Sequence, residues 1–201
     1  MLKKVTVTAL LLGMSAVTMA GDWQVKAGVS ALYPDSDNGK IAGSNAKVSK
    51  ELAFTPSVEY FFNDNISTEL LLATPFKHTV ALPGLGKASF KHLPPTVTAK
   101  YNFKNSTGFT PYVGVGATVM VPWDEKINLV GQPNARLEAD VSYGVAAQVG
   151  FNFQPADAKN WGVYADVRYS QVESDLKVDG GNVGTLEVNP FVYSIGYSYK
   201  F

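Results

Sequence analysis

The sequence predicts an all-β fold, an eight-stranded antiparallel up-and-down transmembrane β-barrel of the outer membrane. Three observations support this prediction. Eight segments of 11 to 14 residues alternate apolar side chains with polar or small ones. The connections between them are alternately short and long, and the closing segment is strongly aromatic. Such strands have the length and the period of two that a tilted, lipid-facing β-strand requires.

The first element, residues 1–20, has the composition of a secretory signal peptide. Lys3 and Lys4 precede an uncharged, mostly apolar run that closes on Thr18-Met19-Ala20, with small side chains at the first and third places. The alternative is a membrane anchor helix, but this run is too short to cross a hydrocarbon core of ~30 Å. We therefore expect an exported chain in a Gram-negative bacterium, with residues 21–201 forming a single outer-membrane β-barrel domain.

The eight predicted strands follow in order along the rest of the chain. They cover residues 23–33, 51–61, 66–77, 92–103, 110–121, 140–153, 161–172 and 189–201. In the last of them Phe191, Tyr193, Ile195, Tyr197, Tyr199 and Phe201 share one face, and Val192, Ser194, Gly196, Ser198 and Lys200 share the other. In the third, the same alternation places Phe76 with Leu70 and Leu72 on the lipid face. Side chains alternate across a strand, so each strand presents an apolar face to lipid and a small or polar face to the lumen.

The connections between these strands differ in length on the two sides of the predicted barrel. Residues 62–65, 104–109 and 154–160 are short and rich in turn-forming residues, whereas residues 34–50, 78–91, 122–139 and 173–187 are long and polar. Short periplasmic turns and longer extracellular loops are typical of outer-membrane barrels. The alternative, a soluble lipocalin-like barrel, would turn its apolar faces inward, and charged residues such as Glu59 and Asp166 would then lie outside.

The predicted lumen-facing residues change in character along the barrel. Near the periplasmic end they are polar and include Lys26, and we expect a charged floor of Glu59, Glu69, Lys100, Asp166 and Arg168. Toward the outer end they are apolar, and we expect a substrate channel lined by Leu32, Leu71, Pro75, Pro94, Met120, Val172 and Val192. Eight strands leave an interior only wide enough for side chains, so this pattern is compatible with a packed lumen and with a cavity for a hydrophobic molecule. Inward glycines favour the cavity.

Prolines interrupt the predicted wall. A proline within a paired strand removes a ladder hydrogen bond, and a closed barrel has no edge strand to hold it. Our hypothesis is that Pro75, Pro94 and Pro95 open a lateral gap near the outer ends of the third and fourth strands, through which a hydrophobic solute leaves into the membrane.

Four stretches together make the sequence similar to the outer-membrane protein W family. They are Glu69-Leu-Leu-Leu-Ala-Thr-Pro-Phe-Lys-His78, His92-Leu-Pro-Pro-Thr96, Pro111-Tyr-Val-Gly-Val-Gly116, and the closing strand from Asn189-Pro190 to Phe201. The resemblance covers the whole mature chain and implies an eight-stranded barrel with a blind hydrophobic upper channel for small hydrophobic molecules, with alkane importers among its relatives. Leu71 matches a leucine that helps to close that channel. A tryptophan that faces it in the family is replaced here by Arg168, so an identical gate is not expected.

Other function classes receive less support from the sequence. The absence of cysteine excludes a thiol nucleophile and a cysteine zinc site, and the balance of 17 basic and 17 acidic side chains without a basic run argues against nucleic acid as a partner. A lipid A acyl hydrolase would need His78 or His92 with partners such as Ser89 and Glu138, but no serine has a recognisable nucleophile context. We expect no enzyme activity, metal or cofactor.

The expected partners are outer-membrane lipids, a small hydrophobic solute, and the barrel-assembly machinery, which would bind the closing strand through Phe201. A structural or adhesive barrel that acts through its extracellular loops remains an alternative, since these loops have no dominant charge or aromatic cluster. The oligomeric state is left open.

Overall fold

The computed structural model describes residues 23–83, 86–131 and 135–201, except for the side chain of His78. The predicted signal peptide, residues 1–20, lies outside the described residues. In chain order the strands are β1 (Trp23–Tyr33), β2 (Lys40–Ile41), β3 (Ser44–Asn45), β4 (Lys47–Val48), β5 (Glu51–Phe54), β6 (Ser57–Phe61), β7 (Ile66–Leu71), β8 (Phe76–Leu82), β9 (Gly86–Leu93), β10 (Thr96–Asn102), β11 (Phe109–Leu129), β12 (Leu137–Ala139), β13 (Ser142–Phe153), β14 (Trp161–Ser170), β15 (Glu173–Val178), β16 (Gly181–Glu187) and β17 (Phe191–Lys200). No helix within these described ranges is long and apolar enough to cross a membrane.

Eight strands form a closed antiparallel barrel, as the alternation predicts. Around the wall the order is β1, β5 with β6, β7, β10, β11, β13, β14 and β17, and the pairing of β17 with β1 closes the sheet. Closure leaves no unpaired sheet edge in lipid, where an unpaired backbone group has no water to bond.

The two faces of the wall have opposite chemistry. Outward side chains such as Val115 and Ile195 are 67% and 62% exposed, while inward ones on the same strands, such as Tyr112 and Ser194, are buried. The exposed apolar band is the surface that a transmembrane barrel presents to lipid.

Aromatic side chains cluster at both ends of this band. At the short-turn end the ring pairs are Trp23–Tyr60, Tyr60–Phe62, Tyr101–Phe103, Phe109–Phe151 and Tyr199–Phe201, with centroids 4.9 to 5.1 Å apart. At the long-loop end they are Tyr33–Tyr193 and Tyr169–Phe191. Two such girdles mark the two membrane interfaces of this class of barrel.

The second and third predicted strands are interrupted where the sequence places prolines. The second strand breaks at Thr55 and Pro56 into β5 and β6. The third ends at Leu71, and residues 72–75 are irregular before β8 begins. This irregular segment shifts the alternation by one position, so Phe76, predicted to face lipid, is 3% exposed and lies inside.

The fourth and fifth predicted strands differ from their expected bounds as well. Pro94 and Pro95 separate β9 from β10, so the fourth wall strand begins at Thr96 rather than at residue 92. By contrast, β11 is longer than predicted. It continues to Leu129, beyond the predicted end at residue 121, because β9 pairs with its outer half.

The long connections contain most of the remaining strands and have a hydrophobic core of their own. Strands β8, β9 and the outer half of β11 form one sheet, and β12, β15 and β16 form another. Between them lies an apolar cluster, called the loop core here: Ile41, Ala46, Val80, Leu82, Ala88, Phe90, Ile127, Leu137, Leu176, Leu186 and Val188. The extracellular part of the barrel is therefore a packed extension of the wall, not the set of polar loops that the sequence predicted.

Candidate functional site: an apolar cavity above a charged floor

A small apolar cavity lies in the upper lumen. Its free space is about 40 Å³, room for a few water molecules, and its lining is mainly Leu32, Leu71, Ala73, Phe76, Pro94, Met120, Val172, Val188, Pro190 and Val192. Thr55, Thr96, Thr118, Ser170, His92 and Arg168 complete the lining. The upper lumen is thus largely filled by side chains, with a residual apolar space between them.

The structure brings most of the predicted channel residues together around this cavity. Leu32, Leu71, Pro94, Met120, Val172 and Val192 all line it. Pro75 does not: it is exposed, because the shift of alternation after Leu71 turns Phe76 inward in its place. The alternation could not reveal Phe76 as a lining residue, since the irregular segment 72–75 is not visible in a two-residue pattern.

Below the cavity, the predicted floor residues form a buried network of ion pairs. Lys100 Nζ lies 2.8 Å from Glu59 Oε2 and 3.1 Å from Glu69 Oε2, and Lys26 Nζ lies 2.7 Å from Glu59 Oε2. Arg168 Nη2 lies 3.8 Å from Glu69 Oε2 and 3.7 Å from Asp166 Oδ2. Each of these six side chains has 2% or less of its surface exposed. Within the described floor, three cations therefore face three carboxylates without solvent.

Hydrogen bonds from uncharged side chains reach Oε1 of Glu59 and both carboxylate oxygens of Glu69. Ser57 Oγ donates to Glu69 Oε1 and Ser67 Oγ donates to Glu59 Oε1, each at 2.6 Å. Gln148 Nε2 donates to Glu69 Oε2 at 3.2 Å. A buried charge persists only when it is paired and hydrogen-bonded, and this network meets both conditions for the two glutamates.

Two floor residues were not among those predicted, Tyr112 and Tyr164, whereas Lys26 lies inward as its parity predicts. Lys100 Nζ lies 3.7 Å from the centre of the Tyr112 ring, and Lys26 Nζ lies 5.1 Å from it and 5.2 Å from the Tyr164 ring. Cations stacked on aromatic faces fill the centre of the barrel. The sequence did indicate that both tyrosines face inward, because Tyr112 and Tyr164 have the same parity as the inward residues of their own strands.

Gly28 and Gly150 make room for this floor rather than for a cavity. A Cβ on Gly150 would press against the Asp166 Cβ and the Tyr112 ring, and one on Gly28 would overlap the Tyr164 hydroxyl. The expectation that inward glycines favour a cavity is corrected at Gly28 and Gly150, where the space is occupied by tyrosine and aspartate side chains.

A second, polar cavity lies below the floor at the short-turn end. Its free space is about 90 Å³, and Gln24, Asp64, Asn102, Asn152 and Lys200 contribute to its lining. The floor therefore separates an apolar cavity on the outer side from a polar one on the periplasmic side. A continuous aqueous path would have to pass through the buried ion pairs.

The ladder between the third and fourth wall strands is interrupted beside the upper cavity. Leu71 pairs with Thr96 below the interruption and Phe76 pairs with His92 above it. Among the described backbone hydrogen bonds, none joins residues 72–75 to residues 93–95. All four bracketing residues, Leu71, Thr96, Phe76 and His92, line the cavity, so the interruption borders it directly.

On their other sides, the two interrupted segments remain bonded to the wall. Leu72 N donates to Pro56 O at 2.9 Å and Thr74 N donates to Phe54 O at 2.8 Å. Val119 N donates to Pro95 O at 3.0 Å. The discontinuity is therefore confined to the boundary between residues 72–75 and 93–95, which we call the seam. It contains Pro75, Pro94 and Pro95, which lack the N–H that a ladder needs.

Among the residues considered for a hydrolase, His92, Ser89 and Glu138 do not form a catalytic arrangement, and the side chain of His78 lies outside the described residues. His92 is 3% exposed and stacks on Phe76 with ring centroids 5.6 Å apart. Ser89 lies on the opposite face of β9, and Glu138 lies in β12, opposite Lys177. Within the described ranges, no group of three or more His, Cys, Asp or Glu side chains could hold a metal ion.

A closed eight-stranded barrel with a lipid-facing apolar band, two aromatic girdles, short turns at one end and long connections at the other defines a small outer-membrane β-barrel protein. Within this class, the model of the OmpW family matches residues 19–201. The chain belongs to the OmpW family.

Individual relatives agree with this assignment. Outer membrane protein W of Vibrio cholerae is 36% identical over 197 residues, which cover 90% of this chain and 89% of the relative. The crystal structure of the outer membrane protein OprG from Pseudomonas aeruginosa superposes with a TM-score of 0.76 at 29% identity, covering 90% of this chain and 96% of that one. The solution structure of the Escherichia coli outer membrane protein W gives a TM-score of 0.64 at 30% identity, over 90% and 98% of the two chains.

Proposed function

We propose that this barrel carries small hydrophobic molecules from the outer surface into the upper lumen and releases them sideways into the membrane. The observation that carries the proposal is the position of the ladder interruption, which borders the apolar cavity directly above a closed charged floor. A molecule that reaches the cavity meets buried ion pairs below it and a discontinuous wall beside it. An apolar solute gains nothing by crossing the floor, whereas the membrane interior solvates it well.

The route from outside is apolar as well. A pocket of about 300 Å³ between the long connections is lined by Ile41, Leu82, Ile127 and Leu129, three of which belong to the loop core. Val188 belongs to the loop core and also lines the upper cavity. Packed apolar side chains therefore lead from the outer pocket to the lumen.

Passage requires side chains to move, since the upper cavity holds only about 40 Å³ of free space. Met120 lines the cavity and is fully buried. Methionine is unbranched and has three rotatable side-chain bonds, so it adapts its shape at low cost. A mobile Met120 beside the seam would let the cavity widen without unfolding the wall.

Substitution of the prolines at the seam tests lateral release. Replacing Pro94 and Pro95 with valine supplies the missing N–H groups, and the uptake of dodecane by cells carrying this variant should fall toward that of cells without the barrel. Pro111→Val is the matched control, because Pro111 lies in the same wall at the short-turn end. It should leave uptake unchanged.

Unchanged dodecane uptake in the Pro94→Val/Pro95→Val variant, with equal amounts of folded barrel in the membrane, would remove the lateral-release proposal. If the wild-type barrel also fails to raise uptake above that of cells without it, the alternative of a structural or adhesive barrel acting through its extracellular extension is favoured.

A further inference from the structure

Arg168 differs from the two lysines of the floor, because each lysine ammonium group lies within 2.8 Å of a Glu59 oxygen and the guanidinium contacts with carboxylate oxygens are 3.7 Å or longer. Its side chain is 2% exposed, and its Nε donates to Gln148 Oε1 at 3.1 Å. Among the described residues, neither Nη1 nor Nη2 has a hydrogen-bond partner. The contacts of Nη2 with Glu69 and Asp166, at 3.8 and 3.7 Å, are longer than hydrogen bonds.

Most oxygens of the floor carboxylates are engaged by other groups. Glu59 and Glu69 are paired with the two lysines and accept two serine hydroxyls, and Asp166 Oδ2 accepts the Tyr112 hydroxyl at 3.1 Å, while Asp166 Oδ1 has no hydrogen-bond partner among the described residues. Arg168 therefore has a buried guanidinium with unused donors, which is costly unless an acceptor is supplied. It is also the one charged residue that lines the apolar cavity within the described structure.

A guanidinium presents a planar fork of donors that matches the two oxygens of a carboxylate. In a small apolar cavity, a charge-assisted bond of this kind is stronger than in water. The rest of the lining is suited to an aliphatic chain: Leu71, Phe76 and Pro94 lie along it toward the seam.

We propose that Arg168 is the recognition site for the carboxylate of an aliphatic carboxylic acid, whose chain lies along the apolar lining toward the ladder interruption. The transport of such an acid rests on the proposed function, but its binding at Arg168 does not. The substrate class thereby narrows from any hydrophobic molecule to one with an oxygen acceptor at one end.

The carboxylates of the floor also limit the affinity of Arg168 for a bound carboxylate. Glu69 and Asp166 approach the same guanidinium within 4 Å, so a carboxylate adds negative charge to a cluster whose described members are balanced. The repulsion opposes tight retention. Modest affinity is what a molecule in transit requires, since it must leave through the seam.

The sequence allows a direct binding measurement, because its only arginines are Arg136 and Arg168. Arg136 is exposed in the extracellular extension and serves as an internal control. The full barrel, labelled with ¹⁵N-arginine and embedded in lipid nanodiscs, is titrated with decanoate and separately with methyl decanoate, and the guanidinium resonances are followed. We expect the Arg168 resonances to shift with decanoate at a concentration about tenfold lower than with the ester, while those of Arg136 stay in place.

Equal midpoints for decanoate and its ester, or shifts confined to Arg136, would overturn the proposal. The wild-type titration needs no substitution and so does not depend on whether a variant folds. Arg168→Lys and Arg168→Gln then test the residue: the lysine variant should keep part of the preference for decanoate and the glutamine variant should lose it. A full preference in folded Arg168→Gln would contradict the assignment.

A transport assay separates this proposal from the proposed function. If decane passes through the wild-type barrel but the preference for decanoate is absent, the carboxylate site is wrong and the hydrophobic route stands. If decanoate binds at Arg168 but neither molecule is transported, the site stands and the route is wrong.

Discussion

Replacing Glu69 with glutamine should lower the free energy of unfolding by about 3–5 kcal/mol, the cost of leaving a buried charge without its partner. Glu69 contacts Lys26 at 3.5 Å, Lys100 at 3.1 Å and Arg168 at 3.8 Å. The amide keeps the shape of the side chain, so the loss reports charge rather than packing. Equilibrium unfolding in urea from lipid vesicles, followed by tryptophan fluorescence, measures it.

Two further variants make this result specific. Glu138→Gln makes the same replacement of a carboxylate by an amide, at an exposed position in the extracellular extension. It should alter the free energy of unfolding by no more than about 0.5 kcal/mol. Adding Lys100→Met to Glu69→Gln removes one surplus cation and should recover part of the loss. A Glu69→Gln protein as stable as the Glu138→Gln protein would show that the floor is not held by these charges.

Gly150→Val should prevent the barrel from reaching its native packing. A Cβ at this position would already press on the Ala165 carbonyl oxygen, the Asp166 Cβ and the Tyr112 ring, and valine adds two further carbons. The carbonyl belongs to the neighbouring strand and cannot move without breaking the ladder. We expect destabilisation of about 3 kcal/mol or more, at the upper end for overpacked sites.

The measurement is the gel shift of the unheated protein, which distinguishes a folded barrel from an unfolded one. Ala147→Val is the matched control, because Ala147 lies three residues earlier in the same strand and is exposed on the lipid face. It should fold like the wild type. Normal folding of Gly150→Val would mean that the interior at this level is looser than the structure describes.

The wall of the barrel was predictable because lipid and lumen impose opposite chemistry on alternate residues. Where the strands are regular, as in β13 and β17, parity alone assigns each side chain to its face. At residues 72–75 the rule fails, since an irregular segment shifts the parity and carries Phe76 from the lipid face to the lumen. The prolines signal that an interruption is there, but not by how many positions it shifts the pattern.

The charged floor was predictable as a set, but its pairings were not. Parity identifies Glu59, Glu69, Lys100 and Arg168 as inward residues. Which cation reaches which carboxylate depends on the stagger of neighbouring strands around the barrel, and this is set by register. The pairing of β1 with β6 places Lys26 opposite Ser57. Because Ser57 lies two residues before Glu59 on the same face of β6, Lys26 reaches the Glu59 carboxylate.

The loop core was missed because it is assembled from short strands that are distant in sequence. Leu137 and Leu176 meet through the pairing of β12 with β15, and β12 has only three residues. Such short segments carry too few apolar positions for a period of two to stand out. Their burial follows from pairing between connections, which a single sequence does not reveal.

We propose that the charged floor closes the lumen to water while the seam above it opens toward lipid. The most direct measurement uses proteoliposomes carrying the wild-type barrel, in which transfer of a fluorescent alkane into the bilayer and efflux of a trapped sugar are followed in parallel. We expect the barrel to speed alkane transfer and to leave sugar efflux equal to that of vesicles without protein. Sugar efflux raised by the barrel, with alkane transfer unchanged, would contradict it.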